Sequence, residues 1–253
     1  MLLEVENLTR HFGGLAAVDG LSFGVGEGEI VGLIGPNGAG KTTAFNLITG
    51  ILKPTEGRLT FKSQDVTGRK PHQMAKLGVG RTFQLNPLFP RFTVLENVVA
   101  SCHLHPHSRS IDAFFNTRTY RRNEALIMEQ ALETLKLLRL EEVKDELASN
   151  LPHGYQKMLA VARALTVRPK LLLLDEPTSG MNWEETELTL STIERMLGTG
   201  MSVLLVEHNM EVIDICDRVV VMNFGRKIAE GSVEEIRNNS DVIEAYLGGE
   251  HAS

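Results

Sequence analysis

The chain has 253 residues, of which 42% are hydrophobic, 23% charged and 6% aromatic, and its mean hydropathy is -0.06. This composition excludes disordered and fibrous proteins and is typical of a globular protein with a buried core. With 26 Lys and Arg against 32 Asp and Glu, the net charge is -6, which disfavours a general nucleic-acid binder because the protein's field repels a phosphate backbone.

The number of cysteines and the length of the apolar runs indicate where in the cell the protein is located. Cys102 and Cys216 are too few for a disulfide framework, which favours a reducing compartment. Apolar runs such as 171–174 are far shorter than the ~20 residues that span a bilayer. Glu4 follows at once after Met1-Leu2-Leu3, where a secretory signal would continue its apolar region. We therefore expect a cytosolic chain whose role at any membrane is peripheral.

Strands and helices alternate along most of the chain. Short β-strands are expected within residues 2–28, then a buried strand at 29–34, a glycine-rich turn and a helix over 41–49. The later elements expected are buried strands at 170–175, 202–207 and 219–223, a helix over 182–197 and a turn at 224–226. Ser232 and Glu235 have the spacing of a capping box, which predicts a C-terminal helix. Strands alternating with helices predict a mostly parallel sheet covered on both faces.

Residues 90–165 lose strand character and instead show helical periodicity. Apolar residues recur at helical spacing in two stretches: Met128, Ala131, Leu132, Leu135 and Leu138, and then Met158, Val161, Ala162 and Leu165. The sequence therefore predicts a single α/β domain with an inserted α-helical subdomain. Its expected parts are a core with an N-terminal antiparallel β-subdomain (1–89 and 166–231), the helical subdomain (90–165) and a C-terminal helical tail (232–253).

A phosphate-binding motif lies between the first buried strand and its helix. The eight residues that match G-x-x-x-x-G-K-[ST] are Gly35, Pro36, Asn37, Gly38, Ala39, Gly40, Lys41 and Thr42, and Thr43 follows them. Backbone N–H groups and the helix N-terminus attract phosphate oxygens, Lys41 reaches the β- and γ-phosphates, and the Thr42 hydroxyl is a ligand for Mg²⁺. The motif predicts the P-loop of a nucleoside-triphosphatase core.

Two acidic residues end the buried strand at 170–175. Asp175 is placed to hold Mg²⁺ directly or through water, and Glu176 to accept the proton of the attacking water. A guanine-nucleotide switch is the competing interpretation, since Asp65-x-x-Gly68 has the form of its second motif. The sequence contains no Asn-Lys-x-Asp segment to read a guanine base, which disfavours GTP.

With these motifs in place, the chain resembles the ATP-binding subunits of ABC transporters over essentially its whole length. The resemblance implies catalytic roles for Gln84, in Arg81-Thr82-Phe83-Gln84, and for His208, in Val206-Glu207-His208, beside Glu176. It further implies that Gln84 joins Thr42 and Asp175 at Mg²⁺ and that Phe12 stacks on adenine. The family signature corresponds here to Leu151, Pro152, His153, Gly154, Tyr155 and Gln156, which would contact ATP bound to a partner chain.

Two departures from the family pattern bear on catalysis. Pro152 replaces the signature serine, and Asn182 stands where an aspartate is commoner in the loop after the catalytic acid. Gly154 and the following helix N-terminus keep backbone donors for a phosphate. A non-hydrolysing regulatory cassette is therefore a second hypothesis. A soluble ABC ATPase of DNA repair or translation is a third, disfavoured because the chain has neither a second cassette nor a coiled-coil insertion.

The resemblance also implies partners. One P-loop and one signature per chain call for a second cassette, most simply in a heterodimer, and for two transmembrane permease subunits and a periplasmic or extracellular substrate-binding protein. Gly13-Gly14-Leu15, Gly180-Met181-Asn182 and the tail 237–248 resemble the ATPases of branched-chain amino acid importers. ATPases of urea or amide importers and of lipopolysaccharide export share much of this pattern. The expected location is the cytoplasmic face of the inner membrane.

Overall fold

The structure is a computed structural model, and it describes residues 1–82, 88–102, 118–207 and 212–248. Contacts between residues divide the chain into two compact units. The first contains Met1–Arg81, Lys170–Pro177 and Met196–Ser253, and the second contains Thr82–Pro169 and Thr178–Arg195. The predicted alternation of strands and helices is confirmed as an α/β fold.

The first unit carries two sheets. Their strands are β1 (Leu3–Phe12), β2 (Leu15–Val25), β3 (Ile30–Ile34), β4 (Glu56–Phe61), β5 (Gln64–Asp65), β6 (Val79–Arg81), β7 (Leu171–Asp175), β8 (Ser202–Glu207), β9 (Arg218–Asn223) and β10 (Arg226–Gly231). One sheet is antiparallel with the order β2-β1-β4-β5, as expected for the N-terminal β-subdomain. The other has the order β10-β9-β3-β8-β7-β6 and is parallel except for the β9–β10 pair.

The helices of this unit are α1 (Lys41–Ile48), α2 (Pro71–Leu77), α7 (Val233–Arg237) and α8 (Ser240–Gly248). Helix α7 starts with the predicted capping box, since the Ser232 hydroxyl accepts from the Glu235 backbone N–H at 3.3 Å and the Glu235 carboxylate accepts from the Ser232 N–H at 2.8 Å. On α1 the predicted apolar face is buried, and Phe45 joins a core cluster with residues of both sheets.

The second unit contains α3 (Val94–Cys102), α4 (Arg118–Leu137), α5 (His153–Leu165) and most of α6 (Trp183–Leu197). On α5 the four predicted core residues are buried. On α4 the predicted face is wrong at two positions, because Met128 and Leu132 are 43% and 39% exposed while Ile127 is 6% exposed. Consecutive apolar residues at 127 and 128 leave the phase of the helix ambiguous by one position.

The unit boundaries differ from the expected subdomains at three places. Residues 178–195 and 166–169, and the described residues within 82–89, were expected with the sheet but group with the helices. Within this unit the Thr189 hydroxyl of α6 lies 3.6 Å from the Met158 sulfur of α5, so the two helices share buried side chains.

The parallel sheet brings one end of several strands to a common edge. β8 lies between β3 and β7, and β9 lies on the other side of β3. Parallel pairing aligns Ile34 with Glu207 and Val221, and Asp175 with Val206. The residues that follow β3 and β7, together with the β9–β10 turn, therefore lie along the carboxyl edge, where open α/β sheets bind ligands.

Candidate functional site

The loop after β3 approaches its neighbours too closely for side chains at two glycines. A Cβ on Gly35, whose φ is +149°, would lie 2.1 Å from the Met222 carbonyl oxygen, and one on Gly40, at φ +100°, would lie 2.4 Å from the Ala17 carbonyl oxygen. Only glycine fits such positions without moving backbone. Helix α1 then starts at Lys41 with no capping side chain and no acidic residue in its first turn. Its first backbone N–H groups lack acceptors in the helix and can bind an anion.

Lys41 is the charged group of this loop. It is only 7% exposed, and its Nζ donates to the carbonyl oxygens of Gly35 at 2.6 Å and Pro36 at 3.0 Å. Burial lowers the pKa of Lys41, and the negative charges of Glu176, Asp175 and Glu207 act in the opposite direction. Three carboxylates thus act on one ammonium. An added polyanion would therefore be bound by Lys41 and the loop amides, because the carboxylates repel it.

Asp175, at the end of β7, is a buried carboxylate that forms an ion pair with Arg81. Its Oδ2 accepts from Arg81 Nη2 at 3.0 Å, and the two side chains are 2% and 7% exposed. Arg81 also donates to Asn46 of α1 at 2.6 Å and to Thr49 at 3.2 Å. Burial raises the pKa of Asp175, and the Arg81 charge opposes that shift.

Glu176 follows in a strained backbone conformation. Its φ is +46°, a left-handed value that costs a non-glycine residue about 1–2 kcal/mol. The conformation is held by its backbone N–H, which donates to the Val206 carbonyl oxygen at 3.0 Å. Glu176 is half-buried beside the phosphate loop, directly after the last residue of β7.

A cavity of about 320 Å³ joins these groups in the first unit. The described residues that line it are Leu15, Ala16, Ala17, Asn37, Gly38, Ala39, Gly40, Lys41, Thr42, Thr43, Glu176, Phe224 and Gly225. One side is therefore polar, with the loop amides, two threonines, Lys41 and Glu176. The other side is apolar and comes from β2 and the β9–β10 turn.

The chain is similar to known proteins over nearly its whole length. Residues 18–179 match the family described as ABC transporter, and residues 226–252 match the family described as branched-chain amino acid ATP-binding cassette transporter. The chain belongs to the ABC transporter family. It is an ATP-binding cassette, and the expectation drawn from its sequence motifs is confirmed.

Individual relatives agree with this assignment. The chain is 42% identical to BraF of Pseudomonas aeruginosa and to LivG of Escherichia coli, both high-affinity branched-chain amino acid transport ATP-binding proteins, with 98% of each chain covered. Its fold matches the ADP conformation of an ABC transporter cassette with a TM-score of 0.86, 32% identity and 98% coverage of both chains. A dimeric bacterial ABC transporter cassette matches with a TM-score of 0.77 at 25% identity, covering 91% of this chain and 98% of that one.

The cassette has oxygen ligands of the kind that Mg²⁺ prefers. Asp175 Oδ1 is buried and has no hydrogen-bond partner in the described part of the chain, since Arg81 occupies the other oxygen. Thr42 is exposed beside Lys41. Across the same residues no group of three or more His, Cys, Asp and Glu could hold a metal alone. A carboxylate and a hydroxyl oxygen, as on Asp175 and Thr42, suit Mg²⁺, which takes one or two protein oxygens and completes its shell with phosphates and water.

The signature residues lie in the second unit, at the start of α5. Pro152 is the N-cap residue and makes no side-chain capping bond, and Pro152 and His153 are exposed. Gly154 is buried, and a Cβ there would lie 2.8 Å from a Glu185 carboxylate oxygen. Gln156 Nε2 donates to the Leu151 carbonyl at 2.9 Å, which closes the turn, and Tyr155 is half-buried.

Asn182, the second departure from the family pattern, has a structural role. Its side-chain oxygen accepts from the Glu185 N–H at 2.9 Å, and the Glu185 carboxylate accepts from the Asn182 N–H at 3.1 Å. The pair is a reciprocal cap on α6. Lys157 of α5 also donates to the Ser179 carbonyl, so the loop after Glu176 is attached to α5.

The predicted roles of three further residues, Gln84, His208 and Phe12, are not tested by the geometry of the cavity. Gln84 and His208 lie outside the described residues, so their roles stay predictions. Phe12, at the end of β1, is 46% exposed, with the Arg10 guanidinium 4.8 Å from its ring centroid. Phe12 is not among the described residues that line the cavity.

Sequence reasoning missed the apolar side of the cavity and the partner of Asp175. Leu15, Ala16 and Ala17 were only part of a predicted strand region, and Phe224 only part of a predicted turn. The sequence does mark Phe224 as unusual, because the residue before the glycine of a two-residue turn is usually Asn or Asp rather than Phe. Arg81 was noticed only as a neighbour of Gln84.

Proposed function

We propose that this chain is the ATP-hydrolysing subunit of an importer for branched-chain amino acids. The observation that carries the proposal is that Lys41, the loop residues and Glu176 line one cavity, in which the Glu176 charge acts on Lys41. A triphosphate bound by the first group would place its terminal phosphate within reach of a carboxylate base.

Each residue of the site has a proposed part in binding ATP and Mg²⁺. The loop 35–43 holds the phosphates through backbone N–H groups, and Lys41 leaves its carbonyl partners for the β- and γ-phosphates. Thr42, Asp175 and Gln84 hold Mg²⁺, which neutralises phosphate charge when bound. Phe12 stacks on the adenine with its exposed ring.

Glu176 is the proposed general base, with His208 and Gln84 orienting the attacking water. The place of Glu176 in the cavity lining supports this role. Within the described residues Asp175 is committed to Arg81 on one oxygen, which leaves Glu176 as the acid that lines the cavity.

The proposed assembly places two cassettes with two permease subunits and a substrate-binding protein at the cytoplasmic face of the inner membrane. No helix in the described ranges is long and apolar enough to cross a bilayer. In that assembly residues 151–156 contact ATP held by the partner cassette, with the Gly154 region donating backbone N–H groups. The names of BraF and LivG, together with the match at residues 226–252, support the branched-chain cargo. The dimeric cassette among the similar structures supports a second cassette.

Two substitutions separate binding from hydrolysis. Lys41→Ala should remove most Mg–ATP affinity, because the buried ammonium is the principal cation of the cavity, and calorimetric titration measures it. Glu176→Gln keeps the shape of the side chain and should bind ATP normally while hydrolysis falls by a factor on the order of 10²–10⁴. A Lys41→Ala protein that titrates like wild type would refute the site, and undiminished turnover in Glu176→Gln would move the base elsewhere.

The cargo needs a separate measurement. Reconstituted with its permeases and binding protein in vesicles, the wild-type cassette should drive leucine, isoleucine or valine uptake that Glu176→Gln abolishes. Uptake of urea or amides in their place would contradict the proposed substrate while leaving the ATPase assignment intact.

A further inference from the structure

Phe224 occupies a turn position that suits its residue type poorly. Asn223 and Arg226 pair across the β9–β10 hairpin, so Phe224 and Gly225 form a two-residue loop. Both have positive φ, +45° and +81°, which is the pattern of a type I′ turn. Such turns favour Asn-Gly or Asp-Gly, and a bulky aromatic at positive φ is uncommon because its Cβ crowds the backbone.

Burial does not compensate for this conformation. Phe224 is 87% exposed, the highest value among the large apolar side chains of the described residues. A strained position that leaves an aromatic ring in water stabilises nothing within the folded chain. The ring therefore has its use outside the hydrophobic core.

The turn is fixed firmly against the phosphate loop and β2. The Gly225 N–H donates to the Ala39 carbonyl at 3.0 Å, and the Gly225 carbonyl accepts from the Asp19 N–H at 2.8 Å. Arg226 forms an ion pair with Asp19 at 2.6 Å. Phe224 is thus held at one place beside the loop rather than on a free hairpin tip.

Phe224 contributes to the apolar side of the cavity, together with Leu15, Ala16 and Ala17. The same lining contains the residues of the phosphate loop, Lys41 among them. A nucleoside triphosphate divides in the same manner, into a charged chain of phosphates and a nucleoside with a flat apolar face. Aromatic rings bind such faces with little dependence on the base, because every base presents a π-system.

We propose that Phe224 contacts the nucleoside part of the bound nucleotide and supplies affinity that the phosphate loop does not. The inference rests on the proposed function, since it takes the nucleotide to be bound by Lys41 and the loop. It adds a contact from the β9–β10 turn to the base-stacking role proposed for Phe12. In this proposal the unfavourable backbone conformation of Phe224 is retained because the ring contacts the nucleoside from this turn.

The test compares three variants with two probes. Phe224→Asn removes the ring and installs the residue that a type I′ turn favours, Phe224→Tyr keeps a ring at the same position, and Lys41→Ala removes the phosphate contact. Titration with Mg–ATP and with inorganic tripolyphosphate separates the nucleoside from the phosphates, and thermal unfolding without ligand reports on the turn.

We expect Phe224→Asn to bind ATP roughly five-fold to a hundred-fold more weakly, with tripolyphosphate affinity unchanged, since one stacking contact is lost. The same variant should melt about 2–4 °C higher than wild type, because the strain is relieved. Phe224→Tyr should keep wild-type ATP affinity.

Equal ATP affinity in Phe224→Asn and wild type would overturn the inference and would assign the exposed ring to contact with another chain. A parallel loss of tripolyphosphate binding would also overturn it, because the turn would then act only by shaping the phosphate loop. If Lys41→Ala binds both probes like wild type, it is the proposed function that fails, so the two failures are distinguishable.

Discussion

Arg81 is the residue that joins three parts of the site, although none of the expected roles was assigned to it. From β6 it reaches Asp175 on β7 and Asn46 on α1, and its guanidinium lies 5.5 Å from the Phe45 ring centroid. Every one of these contacts is buried or nearly so. The guanidinium therefore fixes which oxygen of Asp175 stays available beside the phosphate loop.

Removing this charge should be costly, because a buried carboxylate would lose its cation. Arg81→Met keeps most of the side-chain volume, and we expect it to lower the free energy of unfolding by about 3–5 kcal/mol. Urea unfolding measures the change. In the double variant with Asp175→Asn much of the loss should be recovered, since no uncompensated charge remains. If Arg81→Met alone is as stable as wild type, the pair carries no structural role.

At the scale of elements, the parts that could be predicted from sequence are those that one local pattern specifies. β7 and β8 are buried on both faces, so they appear as unbroken apolar runs, and α1 follows a glycine-rich loop with a fixed spacing. The face of α4 was misassigned because Ile127 and Met128 are both apolar and only packing decides between them.

The apolar side of the cavity could not be predicted for a different reason. Leu15 and Phe224 come together because the β9–β10 turn bonds both to β2 and to the phosphate loop, since Gly225 accepts from the Asp19 N–H and donates to the Ala39 carbonyl. A local sequence pattern cannot predict that residues some two hundred positions apart lie close together. The Asn182 cap depends on Glu185 three residues later as well as on Asn182 itself, so the departure at position 182 alone does not predict it.

The cap on α6 gives an element-scale prediction. Asn182→Ala removes the acceptor for the Glu185 N–H and should destabilise the protein by about 1 kcal/mol, a shift that urea or thermal unfolding resolves. Asn182→Asp, the matched control, keeps an acceptor and adds a negative charge at the helix N-terminus, so its stability should equal or slightly exceed that of wild type. An Asn182→Asp protein as unstable as Asn182→Ala would show that the amide is needed for more than capping.

At the scale of the whole molecule, two buried groups couple stability to alkaline pH. Burial, with the negative charges of Asp217, Glu207 and Asp214, raises the pKa of the Cys216 thiol from 9.0 to about 12. Burial also raises the pKa of Tyr246, on α8, from 10.0 to about 12. In both cases the folded state keeps a proton that the unfolded chain releases at lower pH.

The sign of the pH effect follows from that difference. Below pH 9 both states hold both protons, so stability does not depend on these groups, whereas above pH 9 the unfolded chain loses the thiol proton first and becomes favoured. Each group then lowers the free energy of unfolding by about 1.4 kcal/mol per pH unit, the thiol from pH 9 and the phenol from pH 10.

Urea midpoints measured between pH 8 and pH 11 test this coupling. Cys216→Ala should be less stable than wild type at pH 8, because the buried sulfur packs beside Gly32, where even an added Cβ would lie only 3.0 Å from it. Its stability should nevertheless fall less steeply from pH 9 upward. Tyr246→Phe should match the wild-type slope up to pH 10 and fall less steeply beyond it. Parallel curves for all three proteins would mean that neither group keeps its proton in the folded state, and a flatter curve for Cys216→Ala alone would limit the coupling to the thiol.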